Sequence, residues 1–200
     1  GALLSQTAAT ALEHSLCGLE FAAGIPGTVG GGIYMNAGAY GGSLSDVVVS
    51  ARAICGGEIR EFSRDEMQLG YRKSIFAQNG AVVTGVSFEL APGSREEIAA
   101  KMRELAGKRR DKQPLEFASA GSTFKRPEGH FAGALIEEAG LKGLSVGAAQ
   151  VSEKHAGFII NRGGATSADI IELIGEVQSR VFAHSGVMLE PEVRIIGEDA

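Results

Sequence analysis

The sequence predicts an α+β protein of two successive units, roughly 1–91 and 94–200. Three observations point that way. Val47–Cys55 and Glu58–Phe62 are extended runs joined by Gly56-Gly57, the signature of a two-residue hairpin. Ala91-Pro92-Gly93-Ser94 interrupts the chain near its middle, and the pattern changes beyond it. Ser167 to about Ala183 carries Ile170, Ile171, Ile174, Val177 and Val181 at helical spacing.

The other elements follow in order. Residues 3–16 read as an amphipathic helix with Leu3, Leu4, Ala8, Ala11 and Leu12 on one face, and Gly18 is placed to end it. A glycine-rich stretch, Gly24 to Gly42, comes next. After the hairpin, Ser63 with Glu66 has the capping-box spacing of a short helix or turn. Ala81–Leu90 is a strand rich in Val and Phe. Ser94 with Glu97 is a second capping box, and Ile98, Met102 and Leu105 form a helical stripe ending in Lys108-Arg109-Arg110. Phe131–Ala139 reads as a helix stopped by Gly140, Phe158–Asn161 as a short strand, and Val187–Ile196 as a final strand. No internal repeat is present.

Bulk properties narrow the function classes. Of 200 residues, 22% are charged and 44% hydrophobic, ordinary for a soluble globular protein. A net charge of −5 argues against a nucleic-acid partner. No apolar run is long enough for a bilayer span, so no membrane role is expected. The two cysteines, Cys17 and Cys55, lie outside any CxxC pattern, and the four histidines are not at metal-ligand spacing. A metal site is therefore not expected, and a reducing, cytoplasmic compartment fits.

Glycine, 29 of 200 residues, is about twice average usage. It concentrates in Phe21-Ala-Ala-Gly-Ile-Pro-Gly-Thr-Val-Gly-Gly-Gly32 and Met35-Asn-Ala-Gly-Ala-Tyr-Gly41. This is not a P-loop, since no Gly-Lys-Ser/Thr follows, and no Val-rich strand leads in as at a Rossmann turn. Closely spaced glycines expose backbone N–H groups that can line an anion site, with Pro26 stiffening the turn and Thr28 adding a hydroxyl. A tight turn without a ligand has the same composition.

The string Gly18 to Gly31, followed by Met-Asn-Ala-Gly-Ala-Tyr-Gly, is similar to the FAD-binding segment of the UDP-N-acetylenolpyruvoylglucosamine reductase family. Gly70-Tyr-Arg-Lys-Ser-Ile-Phe76, Ala120-Gly-Ser-Thr-Phe-Lys-Arg-Pro127 and Leu189-Glu-Pro-Glu-Val-Arg-Ile-Ile-Gly197 resemble further segments of that family. The resemblance implies the C-terminal half of a FAD-binding (PCMH-type) domain followed by a small α+β substrate-binding domain. It implies FAD and NADPH as cofactors and a nucleotide-sugar substrate. The flavin contacts it implies are Gly24, Ile25, Pro26, Gly27, Thr28, Val29, Gly30, Gly31, Asn36, Gly38, Ala39 and Tyr40. Arg72, Ser122 and Glu192 are the implied catalytic residues, and Tyr71, Arg110, Lys125 and Asn161 the implied substrate contacts. Gln150 to Asn161 also resembles the family. His155 there, a lone histidine beside an apolar strand, reads equally as hydrogen-bonded in place.

In the family reaction a reduced flavin delivers hydride to C3 of the enolpyruvyl group, and charge builds at C2 and the carboxylate. A permanent arginine cation stabilises such charge, and a hydroxyl must then protonate C2. Taken singly, each residue has a plainer reading: Arg72 as a surface charge, Gly121-Ser122-Thr123 as a turn, Glu192 on a solvated strand face with Glu190 and Arg194. Lys108–Lys112 fits helix C-terminal charge as well as it fits a UDP diphosphate.

The family's N-terminal Gly-Ser-Asn turn has no counterpart here, so the chain is expected to be a later portion of such a protein and to hold FAD poorly alone. The direct passage from Arg72-Lys73-Ser74 to Ala81–Leu90 resembles the shorter subtype without an inserted tyrosine loop. Two competing readings remain: another flavin oxidoreductase of the same superfamily, and a non-catalytic nucleotide-sugar-binding module.

Overall fold

The computed structural model describes residues 1–197. The chain forms two compact units, dividing between Arg109 and Arg110.

The first unit runs α1 (Leu4–Glu13), β1 (Leu16–Cys17), α2 (Val29–Met35), β2 (Gly38–Ala39), β3 (Gly42–Ser43), β4 (Val48–Cys55), β5 (Glu58–Ser63), α3 (Phe76–Asn79), β6 (Val82–Phe88) and β7 (Ala91–Pro92). Helix α4 (Arg95–Lys112) supplies all but its last residues to this unit. The expected hairpin forms: β4 and β5 pair through Gly56-Gly57, and β6 joins on the other edge of β4. Alternation along β4 buries Val48, Ala51 and Ala53. The core gathers Leu4, Ile33, Leu44, Met67 and Phe76, with the Phe62 and Phe76 rings edge-on at 5.0 Å.

Four expectations need correcting in this unit. Helix α1 buries Leu4, Ala8 and Ala11 but stops at Glu13; the chain turns at Ser15, φ 55°, so Gly18 does not end it. Leu3, expected on the inner face, is 41% exposed at the N-cap. The glycine-rich stretch is not all loop, because Thr28 caps a helix through it: the Thr28 hydroxyl accepts the Gly31 N–H at 3.1 Å. The break at Ala91–Ser94 is not the division between units. Ala91 and Pro92 pair with Cys17 and Leu16, and α4 packs Met102 and Leu105 onto the first core. Those contacts hold α4 to the first unit and move the division to Arg109/Arg110.

The second unit contains β8 (Ala118–Ser122), α5 (Ala132–Glu138), β9 (Ser145–Val146), β10 (Ala149–Val151), β11 (Phe158–Asn161) and α6 (Ser167–Ser185). Its antiparallel sheet has the order β8-β11-β10-β9. Thr166 and Asp169 form a reciprocal cap at the start of α6, at 3.1 and 2.9 Å. The inner face of α6 is Leu173, Ile174, Val177 and Val181. Ile171 is 43% exposed, and Leu173, three residues after Ile170 and four before Val177, takes the inward place. Val187–Ile196 is not a strand. It makes a single bridge, Phe124 to Pro191, flanked by the bonds from Lys125 N–H to Glu190 O and from Glu192 N–H to Thr123 O.

Candidate active site

In the first unit the residues around the glycine helix divide by role. A Cβ on Gly32 would lie 2.8 Å from Leu44 and 3.1 Å from Leu4, and one on Gly30 would lie 3.2 Å from the Val83 carbonyl. Both glycines permit close packing of α2 within the fold. Gly31 is exposed, and a Cβ there would meet only the Thr28 hydroxyl, at 3.3 Å. Gly38 lies against the Gly42 carbonyl, where a Cβ would come to 2.7 Å. Ile25 is tied back by its N–H to Ala22 O at 3.0 Å, and Gly27 O accepts the Leu4 N–H at 3.0 Å. Gly24, Ile25, Pro26, Gly27 and Thr28 thus make one fixed approach to α2, which Val29 opens. Gly24 and Tyr40 line a cavity of about 340 Å³, together with Phe21, Met102, Leu105 and Arg109.

Arg109 is the electrostatic centre of that cavity. Its Nε and Nη1 are buried without a hydrogen-bond partner, and its guanidinium lies 5.9 Å from the Tyr40 ring. A Cβ on Gly24 would fall 2.4 Å from Nη1, so glycine there makes room for the cation. An unpaired buried guanidinium is costly unless an anion or acceptor completes it. A largely apolar cavity with an orphaned cation fits a flat aromatic group that carries negative charge or carbonyl oxygens, such as a flavin nucleotide.

Tyr71 and Arg72 form the tip of a tight turn. Gly70 and Lys73 exchange backbone hydrogen bonds at 3.0 and 3.2 Å, and Arg72 is left-handed, φ 53°. Arg72 is half-buried, with its guanidinium 5.2 Å from the exposed Tyr71 ring.

In the second unit Ser122 ends β8 beyond an irregular step. Ser122 pairs with Phe158 but Ser119 pairs with Ile160, so β8 carries one residue more than β11 between those rungs. Gly121, φ 86°, adopts the conformation this bulge requires, and the bulge re-aims the exposed Ser122. Thr123 anchors the next step: buried, it accepts the Ile159 N–H on its hydroxyl at 3.1 Å and gives its own N–H to Gly157 O at 2.8 Å. The Glu192 N–H then donates to Thr123 O at 2.8 Å, and Lys125 N–H to Glu190 O at 2.8 Å. Ser122 and Glu192 are therefore both tied to Thr123, the first along the chain and the second by its backbone N–H.

The other expected substrate contacts have local partners. Lys125 forms an ion pair with Glu190. Asn161 Oδ1 accepts the N–H groups of Gly163 and Ala165 at 2.8 and 3.0 Å, shaping the loop after β11. Arg110 is exposed, and its carbonyl accepts from Lys154 at 2.7 Å. His155 accepts the Gly157 N–H on Nδ1 at 3.1 Å and meets the Phe158 ring edge-on at 4.9 Å. Burial, and then the nearby Lys142 and Lys112, hold its pKa below the ordinary histidine value, against the hydrogen bond and Glu137.

Sequence reasoning weighed Arg109 only within the basic run Lys108–Lys112, and Ser74 and Thr123 only within longer motifs, giving none of the three a role of its own. The signal for Arg109 was available: it continues the stripe Ile98, Met102, Leu105 by four more residues, placing it on the buried face of α4. Among the described residues no helix is long and apolar enough to cross a membrane, and no cluster of three His, Cys, Asp or Glu could hold a metal.

Residues 113–196 match the family profile of the UDP-N-acetylenolpyruvoylglucosamine reductase C-terminal domain. The crystal structure of UDP-N-acetylenolpyruvylglucosamine reductase from Thermus caldophilus superimposes with a TM-score of 0.86 at 38% identity, over 96% of this chain and 69% of that one. The chain belongs to the UDP-N-acetylenolpyruvoylglucosamine reductase family. Reductases of that name from Agathobacter rectalis and Clostridium kluyveri are each 56% identical, over 99% and 100% of the chain. The Clostridioides difficile reductase is 54% identical over the whole chain. The chain spans 63–66% of the length of these three curated reductases. The α+β architecture expected from the sequence is the architecture of this reductase family.

Proposed function

We propose that this chain carries substrate-handling and part of the flavin-handling machinery for NADPH-dependent reduction of UDP-N-acetylglucosamine enolpyruvate to UDP-N-acetylmuramate, a step of peptidoglycan precursor synthesis. The observation that supports it most is the backbone hydrogen bond from Glu192 to Thr123, which ties the segment carrying Glu192 to the residue after Ser122 in a chain of this family. When bound, FAD supplies the hydride that reaches C3 of the enolpyruvyl group, drawn from NADPH.

The chain's own residues have these roles. Arg109 completes its unpaired guanidinium on a polar or anionic group of the flavin nucleotide. The approach from Gly24 to Thr28, the exposed backbone at Gly31, and Ala39 with Tyr40 line the same ligand. Arg72 stabilises the negative charge that builds on the substrate carboxylate, which it can do without titrating. Ser122 gives its proton to C2, and the Glu192 carboxylate polarises that transfer. Tyr71, Arg110, Lys125 and Asn161 contact the nucleotide sugar. For Lys125 this means exchanging Glu190 for a phosphate, and for Asn161 it leaves the amide nitrogen as the group that recognises ligand. The substrates are small molecules of the cytoplasm.

The test is the visible spectrum of the purified holoenzyme followed by NADPH consumption with and without the enolpyruvyl nucleotide sugar. Bound flavin and substrate-dependent consumption are expected. Nucleotide-sugar binding with neither flavin nor turnover would instead establish a non-catalytic module.

A further inference from the structure

Two polar ties at the C-terminal end of α2 run to the loop that carries Arg72. Asn36, left-handed at φ 44° and buried, caps α2. Its Nδ2 donates to Gly70 O at 3.0 Å and to Ser45 Oγ at 3.3 Å, and its Oδ1 accepts the Ser45 N–H at 2.9 Å. Gly70 is the first residue of the Tyr71–Arg72 turn, and the same carbonyl accepts the N–H of Lys73. On the far side of the turn Ser74, fully buried, donates its hydroxyl to Tyr34 O, in the last turn of α2, at 2.7 Å. Two side-chain ties thus hold the turn, one before Arg72 and one after it. Arg72 between them, at 53°, and Gln68 just before them, at 47°, are left-handed without being glycine. Side-chain residues rarely hold that conformation unless the surroundings fix it.

We infer that Asn36 and Ser74 are positioning residues for Arg72, and that they join the glycine-rich helix and the arginine turn into one rigid body. This rests on the proposed role of Arg72. Asn36 was expected to contact the cofactor; its amide is instead occupied by Gly70 and Ser45, so it acts through the turn. The side chain of Asn36 does two separable jobs. Glycine at this position keeps the left-handed cap of α2 but removes the ties to Gly70 and Ser45.

The experiment is a double-mutant cycle in the holoenzyme with Asn36→Gly, Arg72→Ala and both together, reading kcat, KM for NADPH and thermal midpoint. In the wild-type background Asn36→Gly should lower kcat about ten- to a hundredfold, as displacement of a catalytic group by about an ångström does, while KM for NADPH stays level. In the Arg72→Ala background the same change should have no further effect on kcat. Hydrogen exchange at the Gly70 and Lys73 amides should speed up in the single variant. Ser74→Ala repeats the test from the other side of the turn, and serves if Asn36→Gly does not fold. An unchanged kcat in Asn36→Gly, or an equal loss in both backgrounds, overturns the inference. A silent Arg72→Ala overturns the role of Arg72 and with it the positioning role, and is recognised because that single variant alone reports it.

Discussion

The backbone N–H of Glu192 donates to the carbonyl of Thr123 at 2.8 Å, joining two segments almost seventy residues apart in sequence. Ser122 precedes that carbonyl's residue, on a bulge set by Gly121. The bond ties the segment carrying Glu192 to the residue after Ser122, and the contributions of the two residues can be separated by half-reaction.

Ser122→Ala in the holoenzyme should leave flavin reduction by NADPH nearly intact. Reoxidation by the enolpyruvyl substrate should slow about 10²- to 10⁴-fold, the usual loss for a positioned proton donor. Ser122→Cys should retain more activity. Stopped-flow measurement of the two half-reactions decides; equal slowing of both would remove Ser122 from the proton transfer.

Thr123→Val keeps the volume but takes the acceptor from the Ile159 N–H at a site only 3% exposed. A buried donor left unpaired costs about 1–3 kcal/mol, and denaturant unfolding should show that loss. Thr123→Ser, which keeps the hydroxyl, should recover most of it. If Val and Ser variants are equally stable, the bond to Ile159 does not anchor the turn.

His155 gives the second unit a pH response. Its folded pKa is depressed, chiefly by burial, so the unfolded chain takes the proton first. Its neutral form also accepts the Gly157 N–H. Stability should therefore be full above the ordinary histidine value of about 6.5 and fall as pH drops below it. The carboxylates held below their ordinary range, Glu66 and Asp169 among them, lose their contributions only at lower pH, as protonation overtakes them. Urea unfolding of wild type and His155→Gln from pH 7 to about 5 should show the slope flattening in the variant. Parallel curves would refute the assignment.

Two glycines on helices should respond to alanine with opposite sign. Gly32→Ala forces a methyl to within 2.8 Å of Leu44 and should destabilise by about 1–3 kcal/mol. Gly175, in α6, has nothing within 4 Å of a Cβ, and alanine there should stabilise by about 0.8–1.0 kcal/mol. Thermal melts of the two variants are sufficient to check both.

The elements set by local chemistry were legible in the sequence. The β4–β5 hairpin follows from Gly56-Gly57 between extended runs, and α6 from its apolar spacing, since turn type and helical periodicity depend on residues only a few positions apart. The family motifs point to Arg72, Ser122 and Glu192 as the proposed catalytic residues. Tertiary structure alone decided what those residues touch. The final segment became a single bridge because its partner is Thr123–Lys125, and α4 went to the first unit because Met102 and Leu105 found a core there. The ties from Asn36 to Gly70 and from Ser74 to Tyr34 span 34 and 40 residues, and the orphaned guanidinium of Arg109 is visible only against Gly24 and Tyr40. Local sequence fixes a residue's own backbone preferences. Which distant carbonyl satisfies a buried donor depends on where the whole chain packs, and no spacing along the chain records that.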